Sequence, residues 1–407
     1  MRPTGQPSRH FECALALAVA ALAGGCDAPV EPPAEPTPRD ILTTFYRALK
    51  GGGWVQNQNW ATDAPLDQWY GVTTDQDGEV TGLLLWDNGL EGSIPPEIGN
   101  LPKLRDLRLQ ENRVSGRIPP EIGNLRTLRT LSLHSNLHLS GPIPAEIGNL
   151  RNLEVLALHA NDLSGPIPPE VGNLRNLHTL SAHRNDLTGP VPAEIGNLEN
   201  LAELSLATNK LTGPIPPEIG RLENLEFLIL SDNILTGPIP PEIGSLRKLD
   251  ELELEQNRLS GPIPPEIGNL ETLTILRLEQ NWLTGPIPPE IGDLRNLQYM
   301  VLSDNSLSGP VPLEIGNLVK SNSIVLSNNR LTGPMPSGIG NLKSLGHLYV
   351  DRTDLSGPLP REMLGLSLTG FHWHSTDLCA PTDSEFRQWL ASIARHTRGR
   401  DCDPGEG

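Results

Sequence analysis

Leucine and isoleucine fall on a fixed grid along most of this chain. One period reads Leu153-x-x-Leu156-x-Leu158-x-x-Asn161-x-Leu163-x-Gly165-x-Ile167-Pro168 and continues through Val171 to Leu174. Leu156 and Leu158 alternate with the positions around them, the spacing of a strand with one buried face. Gly165 permits backbone angles closed to other residues. Pro168 and Pro169 end strand pairing and favour a turn into a short helical piece. The marker glycines are Gly92, Gly116, Gly141, Gly165, Gly189, Gly213, Gly237, Gly261, Gly285, Gly309, Gly333 and Gly357. They recur every 24 residues except for one 25-residue step between Gly116 and Gly141. A single coil of this kind buries too little to offset the ordering of its backbone. Stacked coils share one core and pair their strands, so the period predicts a solenoid.

A second column is polar: Asn88, Asn112, Asn136, Asn161, Asn185, Asn209, Asn233, Asn257, Asn281, Asn305 and Asn329. A buried amide must be hydrogen-bonded, so these side chains are expected to hold backbone groups where each strand leaves the sheet. Departures from the grid carry their own expectations. The longer step, which contains His138, predicts a bulge between Asn136 and Gly141. Ala182 at a leucine position predicts a small gap. Ser321 replaces the first leucine of its unit, and Thr353 takes the place of the last asparagine.

The pattern L-x-x-L-x-L-x-x-N-x-L-[ST]-G-x-I-P-x-E-I-G-x-L over residues 81–365 resembles the plant-type leucine-rich repeat of receptor ectodomains. The resemblance implies an α/β repeat solenoid: a right-handed coil with a parallel concave β-sheet and short strands beside it. It also implies a convex side of 3-10 turns, and binding through the concave face. Residues 39–80 resemble the N-terminal cap of such proteins at Trp69-Tyr70-Gly71-Val72, without that cap's usual cysteine pair. A helix over 37–50 is expected from Thr37, Pro38 and Asp40 at its start and from Ile41, Leu42, Phe45 and Leu49 on one face. Trp54, Trp60 and Trp69 supply bulk for this cap, and Asp77-Gly78 between Val72 and Val80 reads as a hairpin turn. Residues 366–407 read as a C-terminal cap with Phe371, Trp373, Phe386, Trp389 and Leu390 over the last coil and a helix over 382–395.

The ends bear on location. Arg2 and Arg9 precede an apolar run from Cys13 to Ala23. That run has the length of a signal-peptide core and is too short for the roughly 20 residues of a bilayer span. Residues 1–25 are therefore read as a signal. The Leu22-Ala23-Gly24-Gly25-Cys26 stretch resembles a bacterial lipobox with Cys26 as the lipidated residue, ordinary signal cleavage being the alternative. Residues 26–38, rich in proline, read as an extended tether. With Cys13 removed and Cys26 lipidated, Cys379 and Cys402 remain and are expected to bond in an oxidising compartment. The implied location is the cell envelope or surface through a lipid anchor, or secretion without one.

Formal net charge is -18, and loss of residues 1–25 would make it one unit more negative. Such a surface repels phosphate backbones and anionic lipid, which argues against nucleic acid and against any membrane contact beyond the anchor. Composition adds no chemistry. The chain lacks phosphate loops, nucleophile elbows and H-E-x-x-H motifs; no enzyme, metal or cofactor is expected. The row Glu97, Glu121, Glu146, Glu170 and their successors to Glu362 reads as solvated carboxylates at the starts of short helical turns.

The candidate binding residues lie on the concave face. Trp86, Asp106 and Arg108 mark its N-terminal end. His134, His159 and His183 occupy one row; aligned imidazoles offer a contact surface, a pH response or a metal site, the alternative being solvated residues without a role. The straight row argues against metal, because ligands must converge to about 2.1 Å. Phe227, Ile229, Ile275, Tyr299, Val301, Val325, His347 and Tyr349 face outward, either by strand propensity alone or as a contact surface. Glu251, Glu253, Glu255 and Glu279, beside Arg277, favour a basic partner. The expected function is a module binding a protein or peptide, with a glycan as a further candidate. The alternative is a structural or adhesion element with no specific soluble ligand.

Overall fold

The computed structural model describes residues 36–397 and 399–403. The segments expected to be a signal (1–25) and, for the most part, a tether (26–38), with the lipidation expected at Cys26, lie outside the described residues.

Each coil begins with a three-residue strand, such as Val155–Ala157, whose central Leu156 points into the core. The chain turns off the sheet at Ala160, in the left-handed region with φ 55°, and Asn161 follows. A second strand, Asp162–Pro166, leads through the extended Pro168 into a 3-10 turn, Pro169–Asn173. Leu174 returns the chain to the next coil. The repetition builds two sheets running the length of the solenoid, one of 15 strands and one of 14. Equivalent strands of successive coils pair in parallel, as in Val155–Ala157 against Thr179–Ser181. The grid leucines and isoleucines of successive coils form one continuous buried cluster. On the 3-10 side the coils pack so closely that a Cβ on Gly172 would collide with the carbonyl oxygen of Glu194.

The asparagine column works as a bridge between coils. Asn185 Nδ2 donates to the carbonyl of Ala182 in its own coil and of Leu158 in the preceding one, both at 3.0 Å, while its Oδ1 accepts from Leu163 N at 3.0 Å. Asn88, with no coil before it, makes the equivalent bonds to Gln56 in the cap. Thr353 keeps only the bond within its own coil, to Val350 O at 2.7 Å. Asn233 and Asn305 are half-buried and the rest are buried. The longer step is absorbed as expected: Leu139 N bonds Asn136 O at 2.8 Å, and Leu137 is pushed out, 67% exposed. Ala182 and Ser321 lie in the core; the Ser321 hydroxyl donates to Leu297 O.

At the N-terminus, α1 (Pro38–Ala48) covers the first coil with Ile41, Leu42 and Phe45. It is shorter than the expected 37–50 span. The three cap tryptophans are buried, with Trp54 and Trp60 rings 4.9 Å apart and Trp60 and Trp69 5.1 Å apart. Each indole N–H donates to a backbone carbonyl. Here β1 (Val72–Thr74) pairs antiparallel with β2 (Val80–Leu84), the expected hairpin.

The C-terminal cap departs from expectation in one respect. The helix α2 (Ser384–Ser392) starts on Asp383, whose carboxylate accepts from Phe386 N, and it stops short of 395. Residues Arg395–Thr397 form instead the last strand of the concave sheet, paired with Gly370–His372. The physical reason is that Gly370–His372 presents an open row of N–H and carbonyl groups that a further strand satisfies. Cys379 and Cys402 are joined by a disulfide.

Candidate functional site

The concave sheet presents three rows of side chains between and beside its buried leucines. Register places Arg108, Ser132, Ala157, Ser181 and Ser205 in one row and continues it through Ile229, Glu253, Arg277, Val301, Val325 and Tyr349. A second row runs Phe227, Glu251, Ile275, Tyr299, Ser323 and His347. The third, just past each strand, holds Trp86, the histidines, Glu255 and Glu279.

Near the N-terminus Trp86 is 49% exposed, and Arg108 pairs with Asp106 at 3.1 Å on the surface. Next come the histidines. His134 stacks on His159 with centroids 4.2 Å apart, and His159 on His183 at 4.4 Å, each pair 11° from parallel. The Ser181 hydroxyl lies 3.1 Å from Nδ1 of both His159 and His183, and Ser205 lies 3.0 Å from His183 Nδ1. Burial lowers the pKa of all three, and the neighbouring rings add to it for His159, which falls to about 4. The stack is therefore neutral at pH 7. Face-to-face rings direct their nitrogen lone pairs in parallel, so they do not converge on one ion. Among the described residues no group of three or more His, Cys, Asp or Glu is placed to hold a metal.

In the middle of the sheet Glu253 is half-buried, but Glu255 is not the exposed contact the sequence led us to expect. It is only 6% exposed, and Glu279 only 7%. Leu252 and Leu254 are buried on either side of Glu253, so Glu255 keeps the concave-face row; what covers it there is its surroundings, with Arg277 and the equally buried Glu279 of the next coil close by. Arg277 donates to Glu279 Oε1 at 2.7 Å and lies 3.8 Å from Glu255 Oε1. Burial, more than any neighbour, pushes Glu255 up to about 7; its own backbone N–H and Arg277 oppose the rise, and Glu253 and Glu279 add to it.

Around this acidic strip lie apolar walls. Phe227 and Ile229 flank Glu251 and Glu253 on one side, and beyond Arg277 lie Tyr299 (44% exposed) and Val301. Tyr349 closes the row. Its ring stacks on His372 at 4.3 Å and meets His347 edge-on at 5.9 Å. The serine hydroxyls beside the histidines and the His372 partner of Tyr349 were missed from sequence. Both follow from column register once the 24-residue period is applied to every position. Register thus unites the central and C-terminal candidates on one face, whereas Trp86 and Arg108 stand several strands away from them.

Against known proteins, the Leucine-rich repeat region family matches residues 136–231, and the Leucine Rich Repeat family matches residues 103–125, 224–246, 248–270, 272–294, 296–318 and 322–342. No curated protein matches the chain. A leucine-rich-repeat protein of Leptospira interrogans is 34% identical, with a TM-score of 0.61 and 75% of each chain covered. The Arabidopsis receptor kinase HAESA, in complex with the peptide hormone IDA and the co-receptor SERK1, is 30% identical with a TM-score of 0.73; 89% of this chain and 61% of that one are covered. A plant peptide hormone receptor, RGFR1, in complex with RGF2, is 33% identical with a TM-score of 0.67, over 77% of this chain and 54% of that one. The chain thus spans little more than half the length of these plant receptors. It belongs to the leucine-rich-repeat family. Both matching families describe the leucine-rich repeat, a typical binding scaffold.

Proposed function

We propose that this chain is an exported binding module that recognises a protein or peptide through its concave face. One observation carries the reading. Phe227, Ile229, Ile275, Tyr299, Val301, Val325 and Tyr349 stand half-buried or exposed on the solvent side of a sheet, where apolar groups gain nothing unless something covers them. The plant receptors of similar fold, whose structures hold peptide hormones, support a peptide or protein as that cover. The Cys379–Cys402 disulfide supports an oxidising compartment, and the signal-like and lipobox-like segments of residues 1–26 support export with an anchor at Cys26.

The test is a pull-down from the cells that make the protein, comparing wild type with a double variant, Tyr299→Ser and Tyr349→Ser. The proposal expects the captured partner to fall at least tenfold. An unaltered capture would remove this patch as the site.

A further inference from the structure

The acidic strip contains an imbalance that the fold itself does not resolve. Glu255 and Glu279 are both more than nine-tenths buried. Arg277 reaches one oxygen of each, Oε1 in both cases. The second oxygen of each carboxylate, Oε2, is buried with no hydrogen-bond partner. An unsatisfied buried carboxylate oxygen is costly, and two within one cluster mark a place where donors are missing. Glu251 and Glu253 stand on the neighbouring strand, so Arg277 balances only part of the local charge. Burial raises the pKa of Glu255 to about 7, and a single proton satisfies one oxygen only. A cationic group with several N–H donors satisfies both.

Building on the concave-face reading above, we propose that Glu253, Glu255 and Glu279 receive a basic side chain of the peptide partner, an arginine or a lysine, beside Arg277. The geometry of the walls fits an extended peptide crossing the strands. Ile229, Glu253, Arg277 and Val301 stand on four successive strands, about 4.8 Å apart. An extended chain places side chains of one face about 6.7 Å apart. A basic residue over Glu253 therefore sets one second neighbour near Phe227–Ile229, one strand away, and the other between Arg277 and the Tyr299–Val301 wall, one and two strands away. Arg277 is partly exposed, and the proposal requires it to move aside so that the incoming cation reaches the buried oxygens. A metal ion is a poorer occupant, because among the described residues no group of three or more ligating side chains is placed to hold one.

The test uses immobilised pentapeptides with a fixed central residue, Arg, Lys, citrulline or norleucine, and random flanks, probed with the purified protein. Retention on the Arg and Lys sets should exceed the neutral sets at least tenfold. It should collapse in the double variant Glu255→Gln/Glu279→Gln and persist in Glu266→Gln/Glu290→Gln, which removes the same charge from the convex ridge. Should the first pair fail to fold, Glu253→Gln, on a half-buried side chain, must by itself weaken retention at least threefold. Equal retention on charged and neutral sets overturns the proposal. So does equal loss in the two double variants, which would reveal diffuse attraction to an acidic protein. If Tyr299→Ser and Tyr349→Ser abolish partner capture while the glutamine variants do not, the concave module stands and the cation site falls.

Discussion

His159 lies face to face with His183, the ring centroids 4.4 Å apart, while the hydroxyl of Ser181 sits 3.1 Å from Nδ1 of each. Stacking of this kind is compatible with neutral rings and opposed to charged ones. The folded pKa of His159, about 4, lies below its ordinary 6.5. Its contribution to stability is therefore complete above pH 6.5 and is lost as pH falls from 6.5 through 4. The melting temperature of the wild type should drop over that window by roughly 2–4 °C more than that of His159→Gln. Parallel curves for the two proteins, recorded by thermal scans between pH 7 and pH 4, would remove the stack as a source of acid sensitivity.

Glu255 predicts the opposite sign. Its folded pKa, about 7, lies above its ordinary 4.5. The folded state then binds more protons than the unfolded state between those values, and stability falls as pH rises from 4.5 to 7. Glu253 and Glu279 reinforce the rise and Arg277 opposes it. Glu255→Gln should melt higher than wild type at pH 8, by on the order of 2 kcal/mol of stability, and show little difference at pH 4.5. A variant less stable than wild type at pH 8 would mean that the charge is satisfied after all.

The Asn185 side chain bonds four backbone groups of two coils, the contact to His183 O being the longest at 3.4 Å, and it is buried. Asn185→Ala strands Leu163 N–H and two carbonyls, at a cost of about 3 kcal/mol. The same change at half-buried Asn233 leaves its groups nearer to water and should cost roughly half as much. Urea unfolding of the two variants measures the difference. Equal losses would mean that burial does not set the strength of the column.

The coil period, the strand leucines, the asparagine column and the disulfide were legible in the sequence because each is a repeated or paired residue type with a distinct physical role. The left-handed turn before each asparagine was not. Asp87, Glu111, Ser135, Ala160, Arg184 and Thr208 all adopt positive φ, yet they share no side-chain chemistry. The constraint falls on the backbone, held there by Asn bonds across the turn, and even β-branched Thr208 submits at φ 52°. The burial of Glu255 was hidden for another reason. Alternation says which face a side chain takes, not whether its neighbours in the next coil, here Arg277 and Glu279, cover it. At the C-terminus the apolar residues Phe386 and Leu390 located a helix, but pairing by Arg395–Thr397 depends on an open sheet edge that no local pattern announces. The aromatic and acidic candidates of the concave face were visible as outward positions; their grouping into a strip with two walls needed the register.

The most direct test of the account is site-specific photo-crosslinking in living cells. A photoreactive residue placed at Val325, on the concave row, is compared with one at Glu194, on the 3-10 side. Recognition through the concave face predicts one discrete adduct from position 325 and none of that mass from position 194. An adduct of the same mass formed from 194 alone, or equally from both, would contradict it.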